Sequence, residues 1–221
     1  MNLGYFFSLF ISFVLPLTLF VYVLLLAKDV RNAFIFGVLS FSISQFLIRI
    51  PLLQNVLAIQ PWFILFGMKY PLIYLFFLSF TAGLFEESGR YLIFKKFLSQ
   101  LNPKQIFFFG LGHGGVEAFG LVGLAILSLD QSSASSLEFV YAGLERLSAI
   151  LIHVSLSFMV YKSINKENKF GYLYALTIHT LFNFIAISLL MNGMSTFLVE
   201  SGLLIGSIIA LVLSMRKKVN V

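Results

Sequence analysis

The chain has 221 residues, of which 59% are hydrophobic and 11% charged, with a formal net charge of +6 and a mean hydropathy of +0.97. A soluble domain carries about 25% charged residues, so this chain has too few polar side chains to cover a water-facing globule and must use lipid as its solvent. The absence of cysteine excludes disulfides, thiolate metal sites and a cysteine nucleophile. The basic residues lie in short segments between apolar runs and do not indicate nucleic-acid binding.

The first apolar run, 5–27, is too long for a cleavable signal peptide and has no Lys or Arg before it, so we expect it to be a transmembrane helix. Hydropathy predicts seven spans in an all-α polytopic bundle, with residues 1–221 forming a single integral membrane domain. The third span is longer than a bilayer requires, and Pro16 and Pro71 are the expected kink positions. The predicted spans cover residues 5–27, 33–53, 62–94, 105–127, 139–161, 172–190 and 197–215.

The basic residues between the spans predict the orientation of the bundle. Those near span ends all fall at alternate ends, whereas the connections 54–61, 128–138 and 191–196 contain no Lys or Arg. By the positive-inside rule the N-terminus lies outside and the C-terminus in the cytoplasm. The short loops favour a prokaryotic plasma membrane. The residues that set this orientation are Lys28, Arg31, Lys95, Lys96, Lys104, Lys162, Lys166, Lys169, Arg216, Lys217 and Lys218.

All three histidines, His113, His153 and His179, lie inside predicted spans, as does the acidic pair Glu86 and Glu87. At 1.5 Å per residue, each lies roughly 11–13 Å from the predicted cytoplasmic end of its own helix. Four helices therefore bring these side chains to one depth. Because an ionisable residue inside a membrane usually has a functional role, we predict one buried polar site in the cytoplasmic half of the bilayer.

Local spacings refine this prediction. Arg90 follows the first glutamate by four residues, so its guanidinium can hold that carboxylate on one helix face. Two adjacent acids in a low-dielectric environment cannot both ionise cheaply, which makes one of them a candidate general base. His113 and Glu117 are also four residues apart, so Glu117 is either a ligand or an orienter of that imidazole. The same spacing places the amide of Asn183 one turn from His179.

A second group of charged residues lies toward the predicted outer half of the spans. We expect these residues to form structural ion pairs rather than to take part in catalysis. They are Arg49, Lys69, Glu145 and Arg146. Four glycines around His113 thin that helix and allow another backbone or a substrate to come close.

Three segments resemble the motifs of the CAAX prenyl protease and bacteriocin-processing (CPBP) superfamily: a glutamate pair followed by arginine, F-x-x-x-H, and H-x-x-x-N. They are Glu86-Glu87-Ser88-Gly89-Arg90, Phe109-Gly110-Leu111-Gly112-His113 and His179-Thr180-Leu181-Phe182-Asn183. The segment 112–118, together with Glu145-Arg146 followed by His153, is more closely similar to the YhfC branch of intramembrane proteases.

The resemblance implies an intramembrane endopeptidase that hydrolyses a peptide bond of a membrane-embedded or membrane-associated protein, with a catalytic core of approximately residues 62–190. In the family pattern Glu86 activates water, Glu87 supports it and Arg90 holds the acidic pair. One spacing departs from that pattern, since two residues separate Glu87 and Arg90 where the superfamily usually has three.

The same pattern makes His113 and His179 assist proton transfer, with Asn183 stabilising the oxyanion of the tetrahedral intermediate. A metal-independent glutamate mechanism is slightly favoured. Zinc is the close second, because it takes three or four N and O ligands and the three histidines with Glu86 would supply them; His153 supports the site only in the YhfC-like pattern. No H-E-x-x-H sequence is present.

Two interpretations other than proteolysis remain open. A proton- or metal-coupled transporter also places histidines and acids at mid-membrane depth, but it usually contains an internal repeat of helices, and none is found here. A non-catalytic bacteriocin-immunity protein would keep the helices while the site is dispensable. The sequence names no substrate; the expected partners are the lipid bilayer and a membrane peptide.

Overall fold

The computed structural model describes residues 2–165 and 168–216. Lys166, Lys217 and Lys218, which contributed to the predicted orientation, lie outside the described residues. Throughout the described ranges the chain is helical, without strands, which confirms the predicted all-α membrane bundle. The helices are α1 (Leu3–Leu25), α2 (Arg31–Leu57), α3 (Pro61–Lys69), α4 (Pro71–Lys96), α5 (Pro103–Ser128), α6 (Ser136–Ile164), α7 (Gly171–Met191) and α8 (Thr196–Met215).

The third predicted span is not one helix. It is broken between α3 and α4, whose axes differ by 115°. The break falls at Tyr70, which adopts φ −132° and ψ 63° directly before Pro71. Proline has no N–H to donate and disfavours helical geometry in the residue before it, so the expected kink at Pro71 becomes a sharp turn. Helix α3 is ~13 Å long and cannot cross a bilayer alone, whereas α4 measures ~39 Å.

Three of the long helices contain π-helical turns. In α1 the turn Phe10–Val14 comes just before Pro16, and the helix continues through that proline rather than breaking. Helix α2 is π-helical over Ser42–Arg49 and Leu52–Leu57, and α5 over Ala118–Gly123. Such turns are frequent at functional sites. Two of these π-helical segments, Ser42–Arg49 in α2 and Ala118–Gly123 in α5, adjoin the charged residues described below.

The basic segments meet at one end of the bundle, here called the basic end. Lys104 Nζ donates to Asp29 Oδ2 at 2.7 Å, joining the α1–α2 connection to the start of α5, and this hydrogen bond lowers the pKa of the Asp29 carboxyl. Lys162 Nζ donates to the Ser214 carbonyl at 2.7 Å, joining the ends of α6 and α8. The Tyr161 hydroxyl of α6 donates to the Ser99 carbonyl before α5 at 3.1 Å, so these two contacts lie at the same end of the bundle.

Helix α6 is the central element and contacts α1, α4, α5, α7 and α8. Its residues Val154, Leu156 and Val160 are almost completely buried, in the same apolar cluster as Phe94 of α4 and Phe109 of α5. This packing fixes the rotation of α6, and it turns the one histidine of that helix toward α4 and α5.

Helices α2 and α5 approach each other closely at Gly112. A Cβ atom on Gly112 would overlap the backbone carbonyl of Phe34, whereas a Cβ on Gly115 would meet only Pro16, at 3.8 Å. We expect Gly112→Ala to lower the free energy of unfolding by about 1–3 kcal/mol, because overpacking forces the two backbones apart. Gly115→Ala is the matched control, expected to be near neutral. Thermal unfolding of both variants in one detergent checks this, and equal losses would contradict the close approach.

Candidate functional site

Glu86 of α4 lies where imidazoles from three other helices meet. His113 Nε2 of α5 is 2.9 Å from Glu86 Oε2, and His153 Nδ1 of α6 is 3.9 Å from the same oxygen. His179 Nε2 of α7 is 3.9 Å from Glu86 Oε1. None of these four residues is more than 4% exposed. The structure therefore brings together the histidines and the glutamate that the sequence placed at one depth.

Two of the three imidazoles have a second carboxylate behind them. His179 Nδ1 hydrogen-bonds Glu87 Oε1 at 2.8 Å, and His153 Nε2 lies 2.5 Å from Glu117 Oε2. In both rings the carboxylate takes one nitrogen while the other nitrogen faces Glu86. Metal-ligating histidines are usually held this way, with the second ring nitrogen bonded to a carboxylate that fixes the tautomer and orientation.

Arg90 is completely buried and links two parts of the cluster. Its Nη1 forms an ion pair with Glu87, and its Nη2 lies 3.1 Å from His153 Nδ1. Because a guanidinium only donates, His153 Nδ1 must accept and the ring proton must lie on Nε2, toward Glu117. The expected pairing of Arg90 with Glu86 was wrong. The pair forms at the i, i+3 spacing because Glu86 turns toward α2 and α5.

Glu117 lies against His153 rather than orienting His113 from its own helix, and it also accepts from Arg146 Nη1 at 3.2 Å. Arg146 pairs with Glu145 as well, so the predicted structural ion pair is present. However, Arg146 contacts Glu117, which in turn contacts His153 of the histidine cluster. Lys69 of α3 was also expected to form an ion pair. Instead its Nζ lies over the ring of Tyr70, 5.3 Å from the ring centroid.

Gln45 and Arg49 also belong to the site, and the role of Gln45 was not predicted from the sequence. Gln45 is 3% exposed, lies in the π-helical part of α2, and donates from Nε2 to Glu86 Oε1 at 2.5 Å. Arg49 donates to Gln45 Oε1 at 3.1 Å and is itself held by the Leu78 carbonyl and Thr81 Oγ1. Since arginine cannot accept, these bonds fix the direction of the amide. The sequence feature that could have indicated this role is the presence of an amide and an arginine four residues apart inside an apolar span.

Asn183 is not part of the hydrogen-bonded cluster. It lies one turn beyond His179 on α7, in the wall of a cavity of about 310 Å³ that also contacts Glu145 and Glu200. Its side chain makes no hydrogen bond to any residue in the described ranges.

A metal ion fits the donor atoms of this cluster. Glu86, His113 and His153 each offer one ligand atom, all within 4.8 Å of one another and all buried. Imidazole and carboxylate donors without thiolate suit zinc and other divalent first-row metals. The carboxylate of Glu117 behind His153 supports a ligand role for that histidine, whereas His113 Nδ1 has no hydrogen-bond partner in the described part of the chain. Because His153 Nδ1 also accepts from Arg90, it offers its lone pair to a metal only when the guanidinium withdraws.

The fold and the buried cluster define a polytopic membrane protein with a candidate metal centre. A profile of the YhfC intramembrane metalloprotease family matches residues 11–131 and 123–204, and the chain belongs to this family. The uncharacterized membrane protein YhfC of Bacillus subtilis (strain 168) is 28% identical over 204 residues, covering 78% of this chain and 79% of that protein. No solved structure matches the chain.

These comparisons confirm the resemblance to the YhfC branch and the integral membrane location, with a relative in a prokaryote. They do not support the slight preference for a metal-independent mechanism, because the matched family is one of metalloproteases.

Proposed function

We propose that the chain is an intramembrane endopeptidase that cleaves a membrane-embedded or membrane-associated protein with the help of a divalent metal, zinc being the first candidate. His113, His153 and Glu86 would hold the metal. The observation that carries the proposal is the convergence of imidazoles from three helices on one buried carboxylate, with carboxylates behind two of them. Membership of a metalloprotease family supports it independently.

Some residues of the site would hold the metal, and others would orient the ligands or transfer protons. A bound divalent metal supplies a Lewis acid that activates water and polarises a peptide carbonyl. His179, whose Nδ1 is tied to Glu87, presents Nε2 toward Glu86 and can take or give a proton at that atom. Gln45 holds Glu86 Oε1 and so leaves Oε2 facing His113 and His153. The burial of all these side chains excludes bulk water and strengthens each polar interaction.

Two broader features belong to this proposal. We propose that the basic end faces the cytoplasm, with the N-terminus outside, which puts cleavage in the cytoplasmic half of the bilayer because His113 lies ~13 Å from Lys104. We also propose that residues 1–221 form one domain within the CPBP superfamily. The catalytic core, expected over residues 62–190, is extended to Gln45 by its bond to Glu86.

A metal-independent glutamate mechanism is the second candidate. In it Glu86 would activate water itself, with His113 at 2.9 Å accepting or returning the proton. The engagement of Glu87 by Arg90 and His179 favours Glu86 for that role, since Glu87 already has two partners.

Comparison of membrane-protein N-termini by mass spectrometry tests the function. Cells would carry either the wild type or His113→Asn at equal expression, and the metal content of both purified proteins would be measured. We expect N-termini that appear only with the wild type, and bound metal only in the wild type. Identical N-terminal profiles, with both proteins folded and inserted, would refute proteolysis and favour the transport or immunity interpretation.

Chelation separates the two mechanisms. Purified protein treated with EDTA is expected to lose activity on an identified substrate by at least about 100-fold, because the ligands alone cannot replace the Lewis acid. EDTA saturated beforehand with zinc is the matched control and should have little effect. Zinc added back should restore cleavage. Full activity in metal-free protein would instead favour the glutamate mechanism.

Gln45→Leu tests the contribution of α2. The substitution keeps the side-chain volume but removes the donor to Glu86 Oε1, so that the carboxylate is less firmly oriented. We expect a loss of activity of about 10–100-fold, the usual cost of losing such a supporting contact, with the variant still inserted and folded. Gln54→Leu, at the far end of the same helix, is the control. Unchanged kinetics in Gln45→Leu would show that Glu86 is positioned without α2.

A further inference from the structure

A second polar region lies between α6, α7 and α8, toward the end opposite the basic end. It is the cavity of about 310 Å³ that contains Asn183, here called the outer cavity. It is bounded by the first turns of α6, the second half of α7 and the first half of α8. Its polar residues are Tyr141, Glu145, Asn183, Thr196 and Glu200. Apolar side chains form the rest of the wall.

Glu200 is the residue that the fold leaves unexplained. It is only 5% exposed, its Oε2 atom is buried without a partner, and its side chain makes no hydrogen bond within residues 2–165 and 168–216. A carboxylate in such a position is costly unless a cation or several donors pair with it. Within a membrane, an ionisable side chain of this kind indicates a functional site.

The charges around the outer cavity are unbalanced. One cation, Arg146, serves two carboxylates, Glu117 and Glu145, through its ion pairs. Glu200 in the facing wall adds a third carboxylate. The amide of Asn183 lies in the same wall and can accept through its oxygen. The three carboxylates exceed the one guanidinium by two charges. An elongated cation with an apolar stem would offset one of them at Glu200 while its methylenes contact the apolar wall.

We propose that the outer cavity binds a lysine or arginine side chain of the substrate, with Glu200 as its principal acceptor. This inference rests on the proposed endopeptidase function. The cavity adjoins the site in two ways: Glu145 connects to His153 through Arg146 and Glu117, and Asn183 lies ~6 Å along α7 from His179. An extended peptide advances ~3.3 Å per residue, so the basic residue lies about two positions from the scissile bond. Asn183 thereby contacts substrate rather than the oxyanion.

The binding chemistry can be tested without proteolysis. Thermal unfolding of the purified, metal-loaded protein would be followed with hexylamine, and with hexanol as the uncharged analogue of the same length. We expect hexylamine to raise the Tm of the wild type more than hexanol does, and this difference to vanish in Glu200→Gln. Asp130→Asn, which changes an exposed acid outside the cavity, should behave like the wild type. Equal shifts for amine and alcohol would refute a cation site.

Cleavage gives the second test. Wild-type-dependent N-termini should share a Lys or Arg about two residues from the cut, and Glu200→Gln should lower kcat/KM by about tenfold, the loss expected for one charged hydrogen bond. Substitution of that substrate residue by Gln should cost the wild type the same factor and cost Glu200→Gln nothing more.

The outcomes separate the two proposals. A complete lack of wild-type-dependent N-termini would refute the endopeptidase function, and the substrate role of the cavity with it. Defined cleavage sites without a shared basic residue would refute only the cavity proposal. If hexylamine still stabilised the protein in that case, the cavity would hold another amine, such as the headgroup of phosphatidylethanolamine, and not the substrate.

Discussion

Glu86→Gln should remove both the bound metal and the proteolytic activity, whereas Glu87→Gln should keep the metal and lose only part of the activity. The two residues are adjacent in sequence, but their surroundings differ. Glu86 faces one ring nitrogen of each of the three histidines and contributes a candidate ligand atom. Glu87 is held by Arg90 and hydrogen-bonds the far side of His179, so it positions the imidazole without reaching the metal.

The expected magnitudes follow from these positions. Loss of a ligand should abolish measurable cleavage and leave less than about a tenth of the wild-type metal content, whereas loss of a supporting carboxylate typically costs 10–100-fold. Metal content and kcat/KM would be measured on the same purified samples. Both substitutions are isosteric, so each serves as the control for the other. Equal loss of metal in the two variants would contradict the separation of their roles, and full metal with no cleavage in Glu86→Gln would make Glu86 the base rather than a ligand.

The sequence predicted which residues form the cluster because the depth of a residue in the membrane follows from its position along a transmembrane helix. Each histidine sits a known number of residues from a charged helix end, and the straight rise of a helix converts that number into a level. His113, His153 and His179 therefore meet near Glu86 as expected. The rotation of each helix about its axis is set by packing. For this reason Arg90 was assigned to the wrong glutamate, and the alternative in which Glu117 orients His113 was wrong.

Two other features could not be read from the local pattern. The break at Tyr70 was expected only as a kink, because a proline is compatible with either a bend or an interruption and tertiary contacts decide between them. Gln45 was missed because its role depends on the approach of α2 to α4, which no spacing within either helix reports. In a π-helical segment the usual 3.6-residue periodicity also fails, so the face on which Gln45 lies could not be inferred from its neighbours.

Arg90→Met is expected to be the most destabilising single substitution in the cluster. The side chain is fully buried, and its removal leaves the buried carboxylate of Glu87 without its cation. Breaking one half of such a pair typically costs 3–5 kcal/mol, whereas replacing both halves by uncharged groups costs much less. Thermal unfolding in detergent should therefore show a large fall in Tm for Arg90→Met and a partial recovery for Arg90→Met combined with Glu87→Gln.

The double variant makes this prediction specific to the ion pair. If Arg90 acted mainly by filling space, methionine would replace it nearly as well and the second substitution would add its own loss rather than restore stability. Lys104→Met, which removes the exposed pair with Asp29 at the basic end, is the matched control and should change the Tm little, since solvent screens such pairs. Recovery of stability in the double variant without recovery of cleavage would show that the pair also positions the imidazoles, through the contacts of Glu87 with His179 and of Arg90 with His153.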